Sequence, residues 1–94
     1  MADISLRRRH GFEDSDDVRS RIEGLADRLA DRLGGTWRWK GDEAVCEARG
    51  AKACVGYDKE EISIVISLPL VLRPLRGRLE SKIDEYYERY FGPG

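Results

Sequence analysis

The rhythm of hydrophobic and polar positions switches between a two-residue and a helical period, and the switches mark out the elements of this chain. Ile4 and Leu6 alternate with polar neighbours, which predicts a short strand over Ala2–Arg8. From Val18 the period becomes helical. Val18, Ile22, Leu25, Ala26, Leu29 and Leu33 share one stripe. Asp14 or Ser15 can cap this helix, Asp16 and Asp17 suit the positive end of its dipole, and Gly34-Gly35 stops it.

Alternation then returns through four further strands, with Gly41-Asp42, Gly50-Ala51 and Lys59-Glu60 as the turns between them. Read as two-residue loops, the turns place Trp39 opposite Ala44, Trp37 opposite Cys46 and Ala48 opposite Ala53. They also place Val55 opposite Ile64, Tyr57 opposite Ile62 and Ala53 opposite Ile66. All these residues fall on one face, while Arg38, Lys40, Glu43, Glu47, Lys52 and Ser63 fall on the other. One dry face and one wet face predict an antiparallel sheet covered on one side. A slip of one residue would turn both tryptophans into water, so the register is strongly specified. A last helix is expected from Pro74, with Leu75, Leu79, Ile83, Tyr86 and Tyr90 in its stripe and Gly92-Pro93-Gly94 at its end. The expected fold is α+β, in the order β-α-β-β-β-β-α. Both helices lie on the dry face, the strand order is 2-3-4-5-1, and the first strand runs antiparallel to the fifth.

Composition narrows the class. Ninety-four residues make a single domain, 1–94, and 40% hydrophobic with 37% charged residues describes a folded, soluble chain. A net charge of −1 argues against nucleic acid as a partner. The apolar run Leu68-Pro69-Leu70-Val71-Leu72 is too short to insert across a membrane. Two cysteines and no secretory segment predict a reducing, cytoplasmic setting.

Candidate chemistry is sparse. His10 is the only histidine and is expected on a surface loop. Cys46 and Cys54 point to opposite faces and lack zinc-ligand spacing, so one reads as core and the other as a partly exposed thiol. Glu13, Asp14, Asp16 and Asp17 read as helix-start acids, and Trp37 and Trp39 as core. No GxGxxG, Walker loop, GxSxG or HExxH occurs. The expectation is a non-enzymatic protein without cofactor or metal. One stretch stands apart. Arg73, Arg76, Arg78 and Lys82 crowd a helix N-terminus, where the dipole disfavours cations. Glu80 can answer Arg76 at i, i+4. Leu70, Val71 and Leu72 precede them as apolar residues at the edge of what the core can absorb. Leu70, Leu72, Arg73, Arg76 and Arg78 are therefore the candidate partner-binding residues.

Several pieces together resemble a known family. They are Met1-Ala2-Asp3-Ile4-Ser5-Leu6-Arg7-Arg8 with His10-Gly11, the Leu25-Ala26 and Leu29-Ala30 pairs, Trp37-Arg38-Trp39, Ala48-Arg49-Gly50-Ala51, and Leu70 through Glu80. In order and spacing the chain resembles the putative polyhydroxyalkanoic acid system family, small bacterial proteins linked to polyhydroxyalkanoate granules. The resemblance implies an accessory or regulatory protein acting at the granule surface or on a granule-coat protein, and it supplies no catalytic residue. Two other readings compete. One is a small-ligand carrier of helix-grip type, whose terminal helix would close a pocket over Trp37 or Trp39. The other is a homodimerisation module pairing through Val45, Cys54 and Val65 or through the Leu70–Leu72 edge. A hydrolase of polymer fragments is a more distant reading.

Overall fold

A computed structural model describes residues 3–92. The elements are β1 (Ile4–Arg9), α1 (Ser15–Leu33), β2 (Thr36–Lys40), β3 (Glu43–Ala48), β4 (Ala51–Tyr57) and β5 (Glu61–Ser67). A 3-10 helix (Leu70–Leu75) and α2 (Arg76–Phe91) follow. The five strands form one antiparallel sheet in the order β1-β5-β4-β3-β2. Fold class, element order and strand order are those the alternation predicts.

The dry face is built of rungs. Ile4, Ile66, Ala53, Cys46 and Trp37 lie in register across all five strands, and Leu6, Ile64, Val55, Ala44 and Trp39 form the next rung. Small residues at the centre let α1 approach the sheet closely, while the tryptophans fill the margin. α1 buries Val18, Ile22, Leu25, Ala26, Leu29 and Ala30 against this surface. α2 adds Leu79, Ile83, Tyr87 and Phe91 to the same core. α2 is tied to β1 by Tyr87, whose hydroxyl donates to the Arg9 carbonyl at 2.8 Å, and by Arg8 paired with Asp84 at 3.0 Å.

Four details differ from expectation. First, the β3–β4 turn is Arg49-Gly50, not Gly50-Ala51. Its central residues have φ of 51° and 85°, the double left-handed geometry of the tightest hairpin turn. Pairing therefore slides to Ala48 opposite Ala51 and Cys46 opposite Ala53. The slide moves by whole rungs, so every side chain keeps its face. Second, β1 begins at Ile4 and runs to Arg9; Ala2 lies outside the described residues. Third, Pro74 does not open the last α-helix. It sits inside the 3-10 helix, where its missing N–H is tolerated, and α2 starts at Arg76. Gly92 ends α2; Pro93 and Gly94 lie outside the described residues.

The fourth concerns His10, which is buried at 8% exposure rather than on the surface. Its Nε2 lies 2.8 Å from the Asp58 carbonyl, its Nδ1 accepts from the Phe12 N–H at 3.3 Å, and its backbone N–H donates to Glu60. The ring thus latches the β1–α1 connection onto the β4–β5 turn. That turn is itself held by the Asp58 carboxylate, which accepts from the N–H groups of Glu60 and Glu61 at 2.8 and 2.7 Å. These two bonds hold the Asp58 carboxyl below its ordinary range.

Candidate apolar and basic edge

The chain leaves β5 at Ser67 and turns outward through Leu68 and Pro69. Leu68 stays buried. Its N–H donates to the Asp3 carboxylate at 2.7 Å, and the other Asp3 oxygen holds Arg73 at 3.2 Å. Asp3 is itself mostly covered, so this is a two-armed clamp that seats the 3-10 helix on the β1–β5 edge.

The clamp sorts the five candidate residues. Leu70 and its neighbour Val71 project into solvent, at 75% and 81% exposure, while Leu75 is half exposed one 3-10 turn after Leu72. Leu72 instead turns inward and packs on the core. Arg73 is held by Asp3, and Arg76 pairs with Glu80 at 3.5 Å as its i, i+4 spacing predicts. Arg78 has no carboxylate within ion-pair reach among the described residues. The structure therefore separates the set into an exposed apolar tip, two anchored arginines, and a pair (Leu72 and Arg78) that faces elsewhere.

Leu72 and Arg78 line a half-open groove of about 350 Å³, together with Leu33, Leu68, Leu75, Leu79, Arg32 and Arg49. Arg32 and Arg49 escaped the sequence reading because each lies in a different element, the last turn of α1 and the β3–β4 turn. The only signal was their charge next to a helix stop and a hairpin glycine. The fold brings them together because the Arg49-Gly50 turn packs on Pro69 and the Arg49 side chain lies over Gly34. Neither has a carboxylate in ion-pair reach among the described residues.

The tryptophans lie under α1. Trp37 Nε1 donates to Asp27 at 2.6 Å, Trp39 Nε1 donates to Glu23 at 2.9 Å, and the Arg19 guanidinium stacks 3.9 Å from the Trp39 ring. A helix-grip arrangement would have placed the terminal helix over them; here α1 takes that position. Cys46 is buried beneath α1, and burial pushes its thiol up to about 11. Cys54 is half-buried on the opposite face, in register with Val45 and Val65.

Among known families, the one described as putative polyhydroxyalkanoic acid system protein matches residues 4–91. The chain belongs to this family. The match covers every strand and both helices, so it includes the exposed tip and the groove. Comparison with curated proteins and with solved structures gives no match. Family membership associates the chain with the polyhydroxyalkanoic acid system. Among the described residues, no helix is long and apolar enough to cross a membrane.

Proposed function

We propose that this protein is a non-enzymatic accessory protein of the polyhydroxyalkanoate system that docks at the storage granule through its 3-10 helix. The observation that carries the reading is the exposure of Leu70 and Val71 on a segment tied to the sheet through Asp3. Two large aliphatic side chains in water forgo roughly 1.5–3 kcal/mol each of burial free energy. A polyester surface, or the apolar face of a coat protein, would recover it. Arg73 and Arg76 flank the tip and would meet the carbonyl-rich or acidic groups of such a surface. Binding rather than catalysis is supported by His10, both of whose ring nitrogens are already occupied by backbone groups.

Co-sedimentation with purified granules tests the proposal. Wild-type protein should pellet with granules. A Leu70→Ser/Val71→Ser variant should stay in the supernatant while melting at the wild-type temperature, because neither side chain is packed. Granules stripped of protein separate the polymer from a coat protein as the contact. Equal pelleting of the variant and the wild type would refute the tip as the docking element. Arg73→Ala is a poor probe, since it breaks the Asp3 clamp and disturbs the fold as well as the surface.

The homodimer reading has two candidate surfaces, the Leu70–Leu72 edge and the uncovered sheet face, where Val45, Cys54 and Val65 form one rung. Val45 is buried at 6% exposure, which leaves Val65, 38% exposed, as the main apolar contact of this rung for a partner. Light scattering of the wild type and a Val65→Lys variant decides whether that face pairs two copies.

A further inference from the structure

We propose that the groove between α2, the end of α1 and the β3–β4 turn binds a medium-chain carboxylate, with the head group held by Arg32, Arg49 and Arg78 and the alkyl tail lying on the leucine floor. This goes beyond granule docking, which uses the tip of the 3-10 helix and not the groove.

Three observations lead there. The first is electrostatic. Seven of the thirteen arginines pair with a carboxylate, among them Arg73 with Asp3 and Arg76 with Glu80 near this groove, and three of the remaining six gather at the groove itself. The three at the groove have no carboxylate within reach among the described residues, and no acidic residue lines the groove. Three guanidiniums around one cavity of an acidic chain call for an anion, and their planar forks suit a carboxylate. The second observation is the floor. It consists of five leucines, Leu33, Leu68, Leu72, Leu75 and Leu79, so an inorganic anion would leave most of the groove unfilled. The occupant has one charged end and one apolar end.

The third is conformational. Arg49 holds φ at 51°, where asparagine or glycine is the stable choice for a turn of this type. An arginine there is costly to the hairpin, yet it sets the guanidinium beside the groove. That position makes a decisive variant available. Arg49→Asn relieves the backbone and removes the charge together, so its effects on stability and on binding should have opposite signs.

The test titrates sodium decanoate, below its micelle-forming concentration, into the full-length protein. Calorimetry supplies the affinity and amide NMR shifts supply the location. Decanoate should bind with a stoichiometry of one, with shifts centred on Leu33, Arg49, Leu72 and Leu79. Decanol and acetate, each lacking one of the two features, should bind far more weakly. Arg49→Asn should melt ~4 °C higher and bind decanoate roughly tenfold more weakly, and Arg78→Gln should weaken it by a similar factor at unchanged melting temperature. Decanol binding as tightly as decanoate would overturn the role of the arginines. Acetate binding as tightly would overturn the role of the leucines. Affinity unchanged in both variants, shifts centred on the exposed Leu70–Val71 tip, or no binding at all would overturn the site.

Discussion

Alanine at Gly24 places two known effects in direct opposition where α2 crosses α1. Gly24 lies mid-way along α1, where glycine costs a helix about 1 kcal/mol relative to alanine. The substitution should therefore stabilise an isolated helix. In the folded protein, a methyl carbon at this position lies 2.5 Å from Tyr90 Cε1 and 2.9 Å from Cδ1. The ring must retreat by about 1 Å to reach ordinary contact distance. It is not free to do so at no cost. The Tyr90 carbonyl accepts from Arg21 at 2.6 Å, and its hydroxyl accepts from Arg28 at 3.3 Å. Lifting a half-buried aromatic ring forfeits about 2 kcal/mol of packing, so Gly24→Ala should destabilise by about 1 kcal/mol net. With Tyr90→Ala in the background the obstacle is gone, and the same change should stabilise by about 1 kcal/mol. Urea unfolding of the four proteins in this cycle should thus show a sign reversal and a coupling near 2 kcal/mol. Equal effects of Gly24→Ala in both backgrounds would show that Tyr90 does not lie against Gly24, and the packing of the two helices described above would be wrong.

Three further outcomes can be checked. Gly35→Ala should cost more than Gly24→Ala, about 2–3 kcal/mol in urea unfolding, because the added methyl overlaps the Glu47 carbonyl oxygen and sits 2.5 Å from Ala48 Cβ, and strand backbone cannot swing aside. A thiol reagent at neutral pH should label one cysteine per native chain, Cys54, with Cys46 reacting only on unfolding; two fast-reacting thiols would contradict its burial beneath α1. The lowered Asp58 value means that its contribution to stability is complete above the ordinary carboxyl range and is lost as pH falls through the lowered value. Asp58→Asn should therefore flatten the acid limb of a urea-midpoint-against-pH curve, and an unchanged limb would remove this turn from the account.

Much of the fold was legible because alternation has a period of two and a helix one of 3.6, and the chain keeps each cleanly. The tryptophan register at Ala44 and Cys46 followed from one glycine turn, and it holds in the structure. The misplaced β3–β4 turn shows the limit of that logic. Gly50 can serve either position of a two-residue loop, and the structure puts it second, with Arg49 taking the other left-handed site. Whole-rung slides leave every face unchanged, so hydrophobic pattern cannot detect them. His10 was misjudged for a different reason: its partner is the Asp58 carbonyl, forty-eight residues away, and a backbone acceptor leaves no mark in sequence. The basic edge was half legible. Arg76 with Glu80 is a local pair and was readable from spacing. Asp3 holding Arg73, and Arg32, Arg49 and Arg78 sharing a groove, are products of topology alone.

The proposed docking element is the 3-10 helix. Amide hydrogen exchange with and without purified granules measures this most directly. Protection should appear on binding at Leu70 and Val71, with the strands of the open sheet face unchanged. Protection gained instead along β3, β4 and β5, with the 3-10 helix exchanging as freely as before, would contradict it.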